Sequence, residues 1–370
     1  MLFTLPNFWP YVRRGSERLV HDLASEMTRR GHRVTVLTRG PGARIRKATM
    51  DGFDVIYVPT ATRLFSKLRI DPVDGFALPA FVGGLLKSAD VTCAFYPVDG
   101  VGLSLAARVR RRPFVISVHG WPELSFIQRR HPRMQRALAA GMRKAARVTV
   151  LSHGAALRMR EEFGVGADVL YPGTFTATWM LPRPPTSRRT VVCSAAVDDP
   201  RKRVDLLVRA FLDVAKDTPD LDLLLVGPGD PSSALALVRE LAPDVAPRVT
   251  HRFVESAELP EVFAGCTVGA LTSERETFGL VVLEYLASGM PAVGSDDAGV
   301  PEILTPGTGA LFSGDVAGCA DALRRALALA ADPSSVEACR ARAADFDWSR
   351  KGDAHEELFL EAARSKARRA

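Results

Sequence analysis

The sequence predicts an α/β fold with two Rossmann-like domains. Short apolar segments of strand length alternate with amphipathic helical segments along the chain, which is the pattern of parallel sheets covered by helices. At 370 residues the chain is long enough for two domains with cores of their own. Residues 176–189 are rich in proline and basic residues, as linkers often are. We therefore expect domains over 1–175 and 190–350, and a helix at 351–370 that crosses back to the first domain.

The first domain opens with a β-loop-α-β unit. Leu2–Leu5 is predicted as a strand, Glu17–Arg30 as a helix and Arg33–Thr38 as the next strand. Ligands of such domains bind beyond the carboxyl ends of the strands. No G-x-G-x-x-G sequence follows the first strand, so a dinucleotide cofactor is not indicated.

The later strands follow the same alternation. In the first domain they are predicted at Asp54–Val58, Val91–Tyr96, Phe114–Val118 and Val148–Leu151. A helix is predicted between the second and third of these, at Ser104–Arg110. In the second domain strands are predicted at Thr190–Ala195, Leu221–Val226, Val249–Phe253, Ala292–Gly294 and Gly309–Phe312.

Composition indicates an ordinary globular protein, with 47% hydrophobic and 25% charged residues. The five cysteines are scattered and form no CxxC pair, which disfavours structural disulfides and a zinc site. No apolar run approaches the roughly 18 residues that a membrane span needs. The start of the chain lacks the basic segment of a signal peptide. We therefore expect a cytoplasmic protein.

Charge is distributed unevenly between the two halves. Residues 1–180 hold 27 Lys and Arg against 13 Asp and Glu, whereas the remainder holds 22 against 29. Such asymmetry suggests that the first half faces something anionic, such as a membrane surface or an acidic acceptor. The segment 128–147 holds six arginines and a lysine without an acid, and would suit the inner face of a membrane. Packing of its apolar face on the sheet is the more frequent arrangement, and we favour it.

The stretch Leu271–Leu304 carries the most informative pattern in the chain. Glu276 and Glu284 are eight residues apart, which on a helix is about 12 Å along the axis. Gly279 stands between them at a helix entrance, where backbone N–H groups and the helix dipole favour an anion. The pattern predicts a site for a ligand that is both hydroxyl-rich and phosphorylated.

Glutamates on an amphipathic helix are more often only its solvated face. Glu284, however, lies within an apolar run, where a carboxylate needs a partner or a ligand. The stretch resembles the nucleotide-sugar motif of retaining, family-four glycosyltransferases of GT-B fold: E-x-F-G-L-x-x-x-E, then A-x-G-x-P, then G-x-x-E. The resemblance has no gap, is highly specific and extends more weakly over nearly the entire chain.

This resemblance implies two Rossmann-like domains that face each other across a cleft, with the donor on the C-terminal domain and the acceptor on the other. Glu284 would accept hydrogen bonds from the ribose, and Glu276 from hydroxyls of the transferred sugar. The departing diphosphate would be stabilised by the side chain of Lys202. It would also be stabilised by the backbone N–H groups of Phe278, Gly279 and Leu280.

The first domain carries weaker parts of the same resemblance. Gly15 matches the second glycine of the family's opening loop, near the donor phosphates and the acceptor, while Arg14 replaces the first glycine. The sequence V-H-G places His119 at the end of a strand, where the family's histidine approaches the donor sugar. Tyr96 and Asp99, after the preceding strand, are weaker candidates for acceptor contacts.

In the second domain the resemblance is incomplete where it concerns the diphosphate. Lys202 matches the family's lysine, but its arginine partner falls near 196–197 and is lost. Arg201 and Arg203 are the candidates to supply that charge. Gly227 matches the family's V-G-x-G turn at another ligand-facing edge.

The resemblance implies a retaining glycosyltransferase that takes a sugar from a UDP- or GDP-type donor. Its acceptor would be a glycolipid, a polysaccharide or a small-molecule glycoside, and no metal, cofactor or nucleic acid is expected. The family's usual account is front-face attack, with the leaving phosphate as the base. Two alternatives stay open: a nucleotide-sugar epimerase of the same fold, and a non-catalytic carbohydrate- or membrane-binding relative.

Overall fold

The computed structural model describes residues 1–59, 74–121 and 132–365. The chain forms two compact units. The first comprises Met1–Gly173 together with Trp348–Ala370, and the second comprises Thr174–Asp347. The first unit is therefore built from both ends of the chain, with the second inserted between them.

The first unit contains an eight-stranded sheet with the order β3-β4-β2-β1-β5-β6-β7-β8. All neighbours pair in parallel except β3 and β4, which are antiparallel. The strands are β1 (Leu2–Thr4), β2 (Thr35–Gly40), β3 (Arg46–Met50), β4 (Phe53–Pro59), β5 (Thr92–Ala94), β6 (Phe114–Val118), β7 (Arg147–Val150) and β8 (Asp168–Val169). The helices are α1 (Gly15–Arg29), α2 (Ala77–Leu86), α3 (Pro97–Arg110), α4 (Pro132–Lys144) and α5 (His153–Phe163).

The second unit contains a six-stranded, fully parallel sheet with the order β11-β10-β9-β12-β13-β14. Its strands are β9 (Arg189–Ser194), β10 (Leu221–Val226), β11 (Val249–Arg252), β12 (Val268–Leu271), β13 (Ala292–Ser295) and β14 (Gly309–Phe312). Its helices are α6 (Val204–Ala215), α7 (Ser232–Leu241), α8 (Leu259–Ala264), α9 (Leu280–Ala287), α10 (Val316–Ala330) and α11 (Ser334–Ala344). The last helix, α12 (Trp348–Ser365), belongs to the first unit.

Near-continuous runs of Val, Leu and Ala form the central strands because both faces of each sheet are covered. In the second unit, Leu207 and Phe211 of α6 and Leu323 of α10 are fully buried in a core that includes Val191 and Leu223 of the sheet. The predicted α/β class with two parallel-sheet domains is confirmed.

The expected linker differs from what the structure shows. Residues 176–189 group with the second unit, because Trp179 is buried and stacks on Phe263 of α8 with ring centroids 5.5 Å apart. Thr176–Thr178 forms a short 3-10 helix, and its Thr176 donates hydrogen bonds to Asp347. The proline-rich composition thus marks an ordered, anchored segment.

Helix α3 begins seven residues earlier than the predicted Ser104. Pro97 occupies its first position, where a proline costs no hydrogen bond and its backbone angle already suits a helix. Tyr96 is consequently the N-cap residue, and Asp99 lies in the first turn of the helix rather than in a loop. Strand β5 is correspondingly shorter than predicted.

The basic segment 128–147 is described only from Pro132 onward. Leu138 and Met142 of α4 are buried in the core formed with β6, β7 and α3. Packing therefore occupies this part of the helix's apolar face, as expected from the commoner arrangement.

Candidate active site

The centre of the candidate site in the second unit is an ion pair between Lys202 and Glu276. The Lys202 Nζ lies 2.9 Å from the Glu276 Oε2, and each side chain is about one quarter exposed. Lys202 ends a short 3-10 helix that follows β9, and Glu276 lies in the loop after β12. Both positions lie at the carboxyl ends of neighbouring strands, the edge at which ligands of such sheets bind.

Backbone contacts hold the two loops together. The Thr272 hydroxyl donates to the Lys202 carbonyl at 2.8 Å, and the Glu274 amide donates to the Arg201 carbonyl at 2.9 Å. Thr272 is fully buried, so this contact positions Lys202 without reaching a ligand. Nothing in the sequence pattern singles out Thr272, since a threonine at the end of a strand is ordinary.

A second set of contacts braces the loop before α9. The Gly299 amide donates to the Glu276 carbonyl at 3.0 Å, and the Asp297 carboxylate accepts from the Arg275 amide at 2.7 Å. A Cβ on Gly299 would overlap the backbone of Thr277 and Phe278. The G-x-x-E glycine is therefore required by close approach of two chain segments, which fixes where the Glu276 loop sits.

Helix α9 presents its amino end beside this loop. Gly279 is its N-cap with φ +98°, a conformation that favours glycine. Within the described part of the chain, the amides of Gly279 and Leu280 donate no hydrogen bond, as is usual for the first turn of a helix. Phe278 is buried against Phe346, with ring centroids 5.7 Å apart. The first turn thus offers oriented donors to an anion.

Glu284 lies in the middle of α9 and is only 6% exposed. The next residue, Tyr285, is fully buried and accepts a hydrogen bond from the Ser194 amide at 2.8 Å, which ties α9 to β9. A Cβ on Gly269 would collide with the Tyr285 ring. Sequence reasoning missed Tyr285 because it looked like one more apolar residue of the helix.

The two arginines beside Lys202 are engaged differently. Arg201 is 76% exposed and pairs with Asp199 at 2.6 Å. Arg203 donates to the Gly314 carbonyl at 2.7 Å and lies 3.2 Å from the Glu274 carboxylate. Each is thus paired within the second unit. Gly227, on the turn after β10, has φ +136°, and a Cβ there would overlap the Ala195 carbonyl.

A cavity of about 220 Å³ lies next to this constellation. Arg203, Glu274 and Arg275 line one part of it, and Asp296 and Asp297 another. Its lining does not include Lys202, Glu276 or Glu284. It therefore adjoins the site, and the carboxylates in its wall make it unsuited to a diphosphate.

In the first unit, His119 follows β6 directly and is 7% exposed. Its Nε2 lies 3.1 Å from the Ser117 hydroxyl, and its ring centroid lies 5.1 Å from that of Phe95. Within 1–59, 74–121 and 132–365, its Nδ1 has no hydrogen-bond partner. Burial, together with the nearby His355 of α12, lowers the pKa of His119 to about 3. The imidazole is therefore neutral at physiological pH.

Asp99 is fully buried, and among the residues that the structure describes neither of its carboxylate oxygens has a hydrogen-bond partner. Burial raises the pKa of Asp99 well above its usual range, although the nearby Thr4 hydroxyl and the Arg39 charge oppose this. The carboxyl group is consequently beneath the ligand-facing edge and not on it. Tyr96, the N-cap of α3, is half-buried at that edge.

Gly15 begins α1 and is exposed, with open space around the position of a Cβ. Arg14 is the N-cap of α1 and caps it with no side-chain hydrogen bond. The structure places Gly15, Arg14, Tyr96 and His119 at the carboxyl edge of the first unit's sheet. It places Lys202, Glu276, Glu284 and the first turn of α9 at the equivalent edge of the second.

In the described ranges, no group of three or more His, Cys, Asp and Glu side chains is arranged to hold a metal ion. All five cysteines are free and buried. None of the helices in 1–59, 74–121 and 132–365 is both long and apolar enough to span a membrane.

Comparison with known proteins agrees with the architecture. The family model "Glycosyl transferases group 1" matches residues 188–328, and "Glycosyltransferase Family 4" matches 13–177. The sucrose-phosphate synthase of Thermosynechococcus elongatus has the same fold, with a TM-score of 0.76 at 20% identity over 97% of this chain and 98% of that one.

Two curated relatives are similar in sequence. The GDP-mannose-dependent alpha-(1-6)-phosphatidylinositol monomannoside mannosyltransferase of Mycolicibacterium smegmatis is 28% identical over 91% of each chain. The D-inositol 3-phosphate glycosyltransferase of Corynebacterium diphtheriae is 33% identical over 44% of this chain. That second alignment spans only 40% of the relative's own length.

Proposed function

The chain belongs to the family-four, group 1 glycosyltransferases of GT-B fold, and from this membership we propose that it transfers a sugar from a UDP- or GDP-type donor with retention of configuration. The acceptor in this proposal is a glycolipid, a polysaccharide or a small-molecule glycoside, and no metal ion takes part. The observation that carries the proposal is the Lys202–Glu276 ion pair beside the amino end of α9. No side chain caps that end of the helix, and the buried Glu284 lies on the same helix.

The roles follow from the chemistry of these groups. Glu284 accepts hydrogen bonds from the ribose, and Glu276 accepts them from hydroxyls of the sugar being transferred. Lys202 and the amides of Gly279 and Leu280 stabilise the charge that develops on the leaving diphosphate. A GDP-sugar is named for the mannosyltransferase relative, which supports a nucleotide-sugar donor here.

Lys202, Arg201 and Arg203 each pair with a carboxylate, and of the three Lys202 pairs with Glu276 of the proposed donor site. Arg203 is better placed than Arg201 to help, since it is held against the Glu274 loop while Arg201 turns out to solvent. In the first unit, the neutral His119 suits the positioning of a sugar hydroxyl, because an uncharged imidazole can both donate and accept.

The test is a panel of UDP-, GDP- and dTDP-sugars, measured for binding by titration calorimetry and for donor hydrolysis. We expect one donor class to bind, and Glu284→Ala to weaken its binding by about 1–3 kcal/mol through loss of hydrogen bonds to a charged group. Glu261→Ala, an exposed glutamate of α8, is the matched control and should bind as the unchanged protein does.

Glu284→Gln guards against misfolding of the alanine variant, because it keeps the side-chain volume. Absence of binding and turnover for every donor would contradict the proposal, and conversion of a donor to its epimer without an acceptor would indicate the alternative reaction. Full activity in EDTA is expected, and the anomeric coupling constant of the product reports retention.

We also propose an anionic membrane surface as a partner of the first unit, and assign it to α2 and α3. Helix α2 contains no charged or polar side chain, yet its outer face is exposed at Leu78, Val82 and Leu86. Leu105 and Val109 of the adjoining α3 are exposed as well. The two helices touch closely, since a Cβ on Gly84 would crowd the Ala106 methyl.

Cations flank this aliphatic surface. Lys87 follows α2, and its carbonyl accepts from the Arg112 guanidinium at 2.8 Å. Arg108, Arg110 and Arg111 lie on the last turn of α3 and just after it, and all are exposed. Exposed aliphatic residues beside clustered arginines suit the interface of an anionic bilayer.

Sedimentation with phosphatidylglycerol vesicles tests this assignment. The protein should bind them more strongly than phosphatidylcholine vesicles, and Leu86→Ser combined with Val109→Ser should remove most of the binding. Leu157→Ser, at an equally exposed leucine of α5, is the control. Unchanged binding by the double variant, or concentration-dependent dimers that this variant abolishes, would overturn the assignment.

A further inference from the structure

A second group of charges in the first unit is left unexplained by the donor site. The segments 6–16 and 39–50 together hold six cations and no carboxylate. The first follows β1, and the second runs from the end of β2 through the whole of β3. Strand β3 is antiparallel to β4 and begins opposite Tyr57, so the cations of both segments lie toward the carboxyl edge of the sheet, where Gly15 and His119 also lie. The cations are Arg13, Arg14, Arg39, Arg44, Arg46 and Lys47.

Aromatic side chains connect the two segments. The Arg46 Nη1 donates to the Tyr11 hydroxyl at 2.6 Å, and the same guanidinium lies over the Tyr57 ring, 5.7 Å from its centroid. Tyr11 and Tyr57 pack edge to face at 5.6 Å. The Tyr57 hydroxyl in turn donates to the Trp9 carbonyl at 2.7 Å. Arg46 is thus held in place by uncharged groups.

Two further contacts order the first segment. The Arg39 guanidinium donates to the Pro6 carbonyl at 2.8 Å and to the Asn7 side chain at 2.5 Å, which joins the loop to β2. The Arg13 guanidinium lies over the Trp9 ring, 5.3 Å from its centroid. Arg39 and Arg13 therefore shape the loop that presents Tyr11 and Arg14.

The remaining cations face solvent with little to balance them. Among the residues that the structure describes, no carboxylate forms an ion pair with Arg14, Arg44 or Arg46. The acids nearest in sequence are Glu17, which is buried in the first turn of α1, and Asp51, whose carboxylate lies 2.9 Å from the His21 ring. Burial raises the pKa of Glu17, and the charge of the nearby Arg14 opposes this.

Charged residues on an edge strand also prevent pairing with other chains, and β3 is an edge strand. That role needs charges on β3 alone. It does not account for Arg14, which lies in the loop after β1, or for the hydrogen bond between Arg46 and Tyr11. A guanidinium has five N–H donors, so one that donates a single hydrogen bond to a phenol can still donate two parallel hydrogen bonds to a phosphate.

We infer that Arg46, Arg44, Arg14 and the Tyr11 hydroxyl bind an anionic phosphate group carried by the acceptor. This inference rests on the proposed transferase function, because it takes the ligand of the first unit to be the acceptor. The phosphate belongs either to a soluble sugar phosphate or to a lipid headgroup. Three guanidinium groups and a phenol would recognise both.

The experiment measures binding of a hexose 6-phosphate and of the matching neutral hexose by calorimetry at two salt concentrations. The phosphate should bind more tightly, and its advantage should shrink at high salt. Arg46→Gln should weaken it by roughly tenfold or more, since a hydrogen bond to a charged group contributes about 1.5–3 kcal/mol. Arg46→Lys, which keeps the charge without the fork, should lie between.

Arg33→Gln is the matched control, because Arg33 is exposed in the same unit but precedes β2, at the opposite edge of the sheet. Phosphatidylglycerol vesicles provide the second arm: binding that depends on Arg46 there, and not with hexose phosphate, assigns the phosphate to a lipid headgroup. Tyr11→Phe should reduce whichever binding is found.

Equal affinities of Arg46→Gln and the unchanged protein for both probes would overturn the inference. So would weakening of nucleotide binding by Arg46→Gln, because the site would then serve the donor. Failure of the transferase proposal is separately visible, since it appears as loss of donor binding and turnover while the phosphate titration is unaffected.

Discussion

His119 and His355 are two imidazoles in the interior of the first unit. Burial lowers the pKa of His119 to about 3 and that of His355 to about 4. His355 contacts the Lys351 carbonyl through Nδ1 and packs edge to face on Trp348. Neither ring can be protonated without bringing a charge into this interior, so both are neutral in the folded protein over the physiological range.

Acid should therefore lower the free energy of unfolding of the first unit, because these two histidines bind protons more readily in the unfolded chain. In the unfolded chain both histidines take up protons as the pH falls through about 6.5, whereas the folded chain does not until about 4 and 3. Stability is complete above this range and falls between pH 6.5 and 4, by up to about 1.4 kcal/mol per pH unit for each histidine. Urea unfolding at a series of pH values measures the slope.

His355→Gln should reduce that slope, because one of the two proton-uptake sites is removed. His153→Gln, at an exposed histidine of the same unit, should leave the slope unchanged. A slope that is the same in His355→Gln as in the unchanged protein would show that other groups govern the acid sensitivity.

Helix α12 is joined to the end of α1 by one arginine. The Arg30 Nε donates to Glu26 at 2.7 Å, its Nη1 donates to Asp353 and Glu356 at 2.6 and 2.9 Å, and its Nη2 donates to the Ser349 carbonyl. The hydrogen bonds to these three carboxylates raise the pKa of the Arg30 guanidinium. Arg30 thus connects an early element to the last one, and His32 adds a contact to Glu356 at 2.6 Å.

Arg30→Met should lower the free energy of unfolding of the first unit by about 1–3 kcal/mol, because it leaves the buried Glu26 with fewer partners. The neighbouring Arg29 also pairs with Glu26 but is 61% exposed, so Arg29→Met should cost less than about 1 kcal/mol. Chemical denaturation followed by circular dichroism compares the two. Equal losses would mean that the contacts with α12 contribute little.

Elements differ in how far the sequence predicts them. Strand β6 and strand β10 have the predicted bounds because continuous apolar runs flanked by charged or turn residues define them. Strand β3 was not predicted, because its sequence RKATM has no apolar alternation and its pairing with β4 supplies the order. The first seven residues of α3 were missed since Tyr96–Gly100 suits a strand end as well as a helix start.

The sequence could predict several residues of the candidate site, but it could not predict the contacts between them. Glu276, Lys202 and Gly279 could be named from the motif, because spacing and glycine chemistry restrict them. The Lys202–Glu276 pair could not, since it joins loops 74 residues apart whose approach depends on Thr272 and Gly299. Likewise the burial of Asp99 depends on packing that no local pattern reports.

On the scale of the whole chain, the two proposed binding sites differ in charge. The carboxylates of the proposed donor site lie in the second unit, and in our proposal they accept hydrogen bonds from hydroxyl groups. The arginines at the carboxyl edge of the first unit suit phosphate. The excess of Lys and Arg in residues 1–180 thus has two described locations, the edge beside Tyr11 and the ends of α2 and α3.

The insertion of the second unit between the two parts of the first has a consequence for biosynthesis. A ribosome that has finished the first unit's sheet must still translate all of residues 174–347 before α12 emerges. At roughly 5–20 residues per second this delay is on the order of 10–35 s. Throughout it, Arg30 lacks its α12 partners and the apolar side of β1 lacks Phe359, whose ring packs 5.5 Å from that of Phe3. The nascent chain therefore holds an uncovered sheet face for many seconds, which makes this interval the one in which chaperone binding matters most.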